Sequence, residues 1–336
     1  MEISAGQIAV VTGGGTGMGR ELCRALARVG CHVAMCDVSE ENMAETRALC
    51  LDDAPEDTLV TCHKADVSVE ADINAFRDAV IAEHDTEHVN FVFNNAGIGG
   101  GGEFVNGSRE DWERTFGVCW YGVYYSSRAF MPLLVAADEG YLINTSSVNG
   151  FWASIGPGVS HTAYCAAKFA VKGFTEALIT DLRANAPHVQ AAVVMPGHVG
   201  TSIALNSGKV LGHGSALEMS AEDVDRVRER MVAGGLPVGN LPDDDIRQAM
   251  HQRALDFRDK APCTAQRAAD IILDGVRNDR WRILVGEDAV HLDRTVREFP
   301  EEAYEPSFMA KLQADGHFGG LAEAAGADPV DADSGS

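Results

Sequence analysis

Short apolar runs alternate with amphipathic stretches of helical period through roughly the first 200 residues, a rhythm that few folds can satisfy. Gln7 to Val11 reads as a buried parallel strand. A glycine cluster follows, and then Leu22, Ala25, Leu26 and Val29 recur at helical spacing before Gly30. Further strands are expected at 32–36, 59–63, 89–93, 141–144, 190–194 and 281–285. Helices are expected at 43–50, 70–84, 111–134, 162–182, 221–232, 243–258 and 265–278. Alternation of this kind builds parallel β-α-β units with right-handed crossovers. The expected fold is α/β, a doubly wound parallel sheet that binds ligands beyond the carboxyl ends of its strands.

Charge excludes some functions. With 50 acidic against 27 basic residues, the net charge of −23 repels nucleic acid and anionic membrane surfaces, so neither is expected as a partner. No apolar run is long enough to span a bilayer, and the first residues lack the pattern of a secretory leader. The eight cysteines show no CxxC pair and no metal-ligand spacing, so they are read as reduced thiols of a cytoplasmic protein with no metal.

Thr12-Gly13-Gly14-Gly15-Thr16-Gly17-Met18-Gly19 lies between the first strand and the first helix. Glycines there permit a tight turn and let backbone N–H groups approach a pyrophosphate at the helix N-terminus. This context makes the fold Rossmann-type. Asp37 closes the second strand, 18 residues past Gly19. Its carboxylate can accept both ribose hydroxyls of NAD and would repel the 2′-phosphate of NADP. Neither the 14–19 loop nor Val38-Ser39 offers a cation to that phosphate, so NAD is the expected cofactor.

Tyr164-Cys165-Ala166-Ala167-Lys168 sets a phenol and an ammonium four residues apart, on one helical face. A free phenol, with a pKa of roughly 10, is a poor base at neutral pH. The lysine and an oxidised nicotinamide, both positive, favour the phenolate. Tyr164 can then take an alcohol proton as hydride leaves.

These motifs come in a telling order: the 12–19 loop, Asp66-Val67, Asn94-Asn95-Ala96-Gly97, Ser147, Tyr164 with Lys168, and Pro196-Gly197-His198-Val199-Gly200-Thr201. In this the chain resembles the short-chain dehydrogenase/reductase family over at least residues 5–200, and more loosely through 265–290. The resemblance implies a Ser-Tyr-Lys mechanism with Ser147 bonding the substrate oxygen and Lys168 holding the nicotinamide ribose. It implies that Gly13, Gly15, Thr16, Gly17, Met18, Gly19, Asp37, Val38, Asp66, Val67 and Asn94 to Gly97 contact the cofactor. Pro196, Gly197, Val199 and Thr201 would then position its carboxamide end.

Three departures qualify the resemblance. The family usually carries asparagine within the fourth long helix, where this chain has Val118-Cys119-Trp120-Tyr121-Gly122. A thiol is a weak stand-in for an amide, so Cys119 supports catalysis only if the proton relay uses its backbone carbonyl. Ser147 and Tyr164 are 17 apart, a few residues more than usual, and the 149–158 segment is expected to bulge over the substrate. Asn149, Phe151, Trp152 and Ile155, with His198 and Leu205, form the expected pocket, with packing against the core as the equal alternative for Phe151, Trp152 and Ile155. Lastly, 202–262 exceeds the usual substrate loop, and Leu205, Val210, Leu211, Leu217 and Met219 could close an apolar cavity.

The expected organisation is one domain over 1–290, with 202–262 as a lid within it, and a C-terminal extension over 291–336 that ends in disorder. The expected activity is NAD-dependent hydride transfer on a bulky, hydrophobic secondary alcohol or ketone. An epimerase or dehydratase on the same fold, or a non-catalytic NAD-binding redox regulator, are the alternatives. Phe116, Trp120, Tyr121, Tyr124 and Tyr125 exceed what one core-facing stripe absorbs, which points to a homodimer or homotetramer.

Overall fold

The computed structural model describes residues 1–155, 159–233 and 236–314. Six strands appear in turn: β1 (Ile8–Thr12), β2 (His32–Asp37), β3 (Val60–Lys64), β4 (Phe91–Asn94), β5 (Gly140–Thr145) and β6 (Val189–Pro196). Two short strands, β7 (Val199–Gly200) and β8 (Cys263–Thr264), pair with each other outside the main sheet, which β9 (Arg282–Val285) completes. The seven-stranded sheet runs in the order β3-β2-β1-β4-β5-β6-β9 with every pairing parallel. Strand order reverses between β1 and β4, and a crevice opens there at the carboxyl ends. This is a Rossmann-type α/β fold.

Both faces are covered, which explains why the strands read as continuous apolar runs. Ala9 and Val11 of β1 point to one face, packed by Leu22 and Leu26 of α1 (Gly17–Arg28) and Met43 of α2 (Glu40–Asp53). Ile8 and Val10 point to the other, toward Ile73 and Phe76 of α3 (Glu70–Glu83). Each fully buried side chain of this size contributes roughly 1.5–3 kcal/mol.

The helix expected at 111–134 is divided. α4 (Arg109–Phe116) and α5 (Gly122–Ala136) flank a π-helical turn at Gly117–Tyr121, centred on Cys119. Such turns insert one residue into the helical ladder and recur at functional sites. Next comes α6 (Thr162–Asn185). Segment 202–262 holds three helices where two were expected: α7 (Ile203–Val210), α8 (Ala221–Ala233) and α9 (Asp243–Asp259). Val224, Val227 and Ile246 give it a small core of its own, which takes up Met219, while Leu217 is exposed.

After β8 come α10 (Ala265–Arg277), β9, α11 (Glu287–Glu298) and α12 (Pro306–Ala314). Position 290, expected to end the domain, falls inside α11. Leu292 of that helix gathers with Ala303, Phe308 and Leu312 around Trp152. Residues 315–336, where a disordered end was expected, lie outside the described residues. Among the described residues no helix is long and apolar enough to cross a membrane.

Candidate active site

The glycine loop sits in the crevice between β1 and β4. Gly13 and Gly17 adopt φ of 67° and 56°, left-handed values that favour glycine. A Cβ on Gly19 would collide with the Gly13 carbonyl, so loop and helix meet backbone to backbone. The Thr12 hydroxyl accepts N–H bonds from Asn95 (3.0 Å) and Ala96 (3.1 Å), locking the 94–97 segment onto the loop. α1 starts without a side-chain cap and without an acidic residue in its first turn. Its N–H groups therefore suit a pyrophosphate, and the cradle fits a dinucleotide.

Asp37 is fixed by two backbone donors, Gly15 N–H on Oδ2 and Ser39 N–H on Oδ1, both at 3.0 Å. Arg20, the cation directly after the glycine loop, is committed to the Gly15 carbonyl, Thr46 and Glu45. Val38 beside Asp37 is exposed, and Met18 packs against the core. Asp66 accepts from Ser68 and pairs with Arg114 at 2.6 Å. Burial works to raise the Asp66 carboxyl, but these bonds outweigh it and hold the group below the usual carboxylate range. Val67 is buried beneath Gly122. Asn94 is buried and ties the sheet together: its amide donates to Asn144 (2.8 Å) and Ser127 (3.0 Å), and Asn144 donates to Thr175.

Tyr164 and Lys168 share one face of α6. Lys168, buried, donates from Nζ to the Thr145 carbonyl at the end of β5 (2.9 Å) and lies 5.4 Å from the centre of the Tyr164 ring. Ser147 follows β5, beside the phenol, and its hydroxyl accepts the Asn149 N–H. Gly97 lies beside Lys168 and Cys119, and a Cβ there would make ordinary contacts with Lys168 Nζ at 3.6 Å and Cys119 Sγ at 3.9 Å. Cys119 is fully buried and donates from Sγ to the Ile98 carbonyl at 3.2 Å.

Burial dominates the electrostatics of the pair. Burial pushes the Tyr164 phenol well above its ordinary value, the Cys119 thiol adds to this, and the Ser147 hydroxyl pulls weakly the other way. Burial lowers Lys168. The lysine alone therefore does not make Tyr164 a base, because desolvation wins at this depth. A second positive charge, that of an oxidised nicotinamide, is needed to reverse the balance. The His161 ring lies 4.6 Å from the Tyr164 ring, centre to centre, and burial lowers its pKa to about 4, which keeps it neutral.

Pro196 ends β6 and Val199 opens β7. Thr201 packs against Gly17, Asn206 of α7 donates to the Thr16 hydroxyl (3.4 Å), and Ser207 accepts the Gly99 N–H (2.8 Å). α7, with Leu205 half-buried on it, thus bridges the glycine loop and the segment after β4.

Several expected pocket residues are occupied elsewhere. Trp152 is buried in the C-terminal cluster with its indole N–H on the Ala303 carbonyl (2.6 Å), and Phe151 packs against the same cluster. An apolar ring next to α12 gains more from that core than from lining an open cavity. The Asn149 amide is spent on the carbonyls of Trp152 and Ser154. The His198 ring lies 4.3 Å from that of Phe257, tilted by 34°, and bonds the Phe257 carbonyl (2.7 Å), which ties it to α9. Ile155 is half-buried, and residues 156–158 of its loop lie outside the described residues. Sequence reasoning missed Thr12, Arg114, Asn144, His161, Asn206 and Ser207. Of these only Thr12, at the head of the glycine run, carried a local signal.

Comparison with known proteins shows the family and the fold. The family model described as short chain dehydrogenase matches residues 7–210. SadH of Mycobacterium tuberculosis (strain ATCC 25618 / H37Rv) is 32% identical over 292 residues, covering 87% of this chain and 90% of SadH. A short chain dehydrogenase/reductase from Burkholderia phymatum, solved in complex with NAD, superposes with a TM-score of 0.72 at 28% identity, covering 91% of this chain and 98% of that one. A metagenomic short-chain oxidoreductase in complex with NADP gives a TM-score of 0.50 at 28% identity, over 58% of this chain and 84% of its own. This chain belongs to the short chain dehydrogenase family of nicotinamide-dependent oxidoreductases.

Proposed function

We propose that this protein is an NAD-dependent dehydrogenase that interconverts a bulky, hydrophobic secondary alcohol and its ketone. The observation that carries the reading is the meeting of Ser147, Tyr164 and Lys168 beside the glycine loop. The nicotinamide, when bound, accepts or supplies the hydride. Ser147 donates its hydroxyl hydrogen to the substrate oxygen and orients it. Tyr164 takes the alcohol proton, or returns it in the opposite direction. Lys168, anchored on the Thr145 carbonyl, favours the phenolate and reaches the ribose. Cys119 serves through its backbone, its thiol being occupied by Ile98, so the proton relay runs past the side chain.

Preference for NAD is supported by Asp37, whose carboxylate is held rigidly at the end of β2, and by the commitment of Arg20. An apolar substrate is supported by Val210 and Leu211, which pack into the cluster that includes Tyr164. Segment 202–262 acts as a lid within a single dehydrogenase domain in this reading. Exposed Tyr121, Tyr124 and Phe169, around the Trp120–Phe174 contact, form the face through which two or four cytoplasmic copies assemble.

Following NADH absorbance over a panel of secondary alcohols tests the activity. Wild type should turn over with NAD in preference to NADP, and Tyr164→Phe should lose about 10³-fold in kcat while still binding NAD, the scale of a lost general base. NAD binding without turnover of any alcohol by the wild type would sink the dehydrogenase reading.

A further inference from the structure

Asp288 stands in the first turn of α11, 5% exposed, and reaches the turn between β6 and β7. Its Oδ2 accepts the His198 N–H at 2.6 Å, while its Oδ1 is buried without a hydrogen-bond partner. Two glycines press on it. A Cβ at Gly197 would overlap Oδ2, and one at Gly286, where φ is 100°, would overlap Oδ1. Gly197, Gly286 and Asp288 are thus three parts of one fitting, written into the sequence 91 residues apart at its ends but meaningful only together. Burial raises the Asp288 carboxyl above the ordinary range, with the His198 and Ala289 N–H groups pulling the other way. A carboxylate this buried is costly, and a fold that only needed to fill space would be better served by an apolar side chain. One helical turn further along α11, Leu292 packs in the cluster of Trp152, Val148 and Phe151, which borders Ser147. The same helix therefore grips the serine loop and the 196–199 turn.

We propose that Asp288 is a positioning residue for the nicotinamide end of the cofactor. By holding the His198 N–H it fixes the Pro196–Val199 turn, so the segment after β9 sets how tightly the reactive half of the cofactor is held without touching it. The inference rests on the reading above, in which this turn receives the carboxamide.

Dissociation constants of NAD and of ADP-ribose, which lacks the nicotinamide, separate this role from a merely structural one when measured on the full chain. Asp288→Leu should weaken NAD about tenfold, or about 1.4 kcal/mol, and leave ADP-ribose within about twofold. Asp288→Asn keeps the acceptor and should bind both near wild-type strength. Equal weakening of both ligands, no weakening of either, or an asparagine variant as weak as the leucine one overturns the proposal. Should Asp288→Leu fail to fold, Asp288→Ala, which also lacks the acceptor but adds no bulk, should show the same loss confined to NAD, on the same criteria. Wild-type protein that binds neither ligand overturns the cofactor reading itself and this inference with it.

Discussion

The nucleotide side of the sheet, from β1 to β4 with α1 and α2, and the segment after β6 both place groups on one crevice, but they do so differently. On the nucleotide side the tightest approach is of backbone on backbone, Gly19 on Gly13, and the one side chain that ties the loop to the 94–97 segment, the Thr12 hydroxyl on the Asn95 and Ala96 N–H groups, is a short one. After β6 they are of side chains across long stretches of sequence. Ser207 meets Gly99 from 108 residues away, Asn206 meets Thr16 from 190, and Asp288 meets His198 from 90. A backbone contact has no rotamer to adjust, so it is rigid and intolerant. A side-chain contact can be exchanged, and this is the half that can vary with substrate while the cofactor cradle stays fixed.

The largest effect on the cofactor is expected where that rigidity is broken. Gly19→Ala places a methyl group against the Gly13 carbonyl, with no flexible atom to move aside. NAD affinity measured by titration should fall at least about 100-fold, near 2.7 kcal/mol. Near-normal affinity would mean that the loop yields, and the contrast between the two regions would be lost.

On the other side, Trp152→Ala should act on stability more than on the cofactor. It removes a buried ring and its bond to the Ala303 carbonyl, and truncation of a core tryptophan costs about 3–5 kcal/mol. Denaturant unfolding should register that loss, while NAD affinity changes by less than about tenfold. Unaltered stability would show that the C-terminal cluster is not a core at all.

The same division decides what could be read in the chain beforehand. The strands, the glycine loop, Asp37, and the Tyr164/Lys168 face follow from local spacing, because each depends on residues within one β-α unit. Trp152 misled for a physical reason: beside a glycine-rich loop an apolar run reads as a cavity wall, and its true partners, Leu292 and Phe308, lie more than about 140 residues on. His198 misled likewise, since its acceptor is a backbone carbonyl of α9 that no pattern announces. The π turn at Gly117–Tyr121 leaves the apolar periodicity nearly intact and so reads as plain helix.

The smallest effect separates the two regions by the sign of their response to acid. On the nucleotide side His84 shares the Thr61 hydroxyl with His63, at 3.0 and 3.2 Å, and its ring lies 6.3 Å from that of His32. Burial, with His32 and His63 adding to it, lowers its pKa to about 4, while Glu83 near His63 acts against burial there. An unfolded histidine titrates near 6.5, so the unfolded chain takes the proton first. The stability is whole above about pH 6.5 and is lost as pH falls toward about 4. Screening by water at this partly open site leaves an effect of about 1–2 kcal/mol. Asp288 has the opposite sign: its raised carboxyl gives stability that is present in acid and lost as pH rises through its folded value. Unfolding free energies between pH 4 and 7 should therefore show His84→Gln losing about 1–2 kcal/mol less than wild type on acidification, with Asp288→Asn losing slightly more. If His84→Gln follows the wild-type curve throughout, the histidines titrate as if exposed, and the acid response belongs to the carboxylates alone.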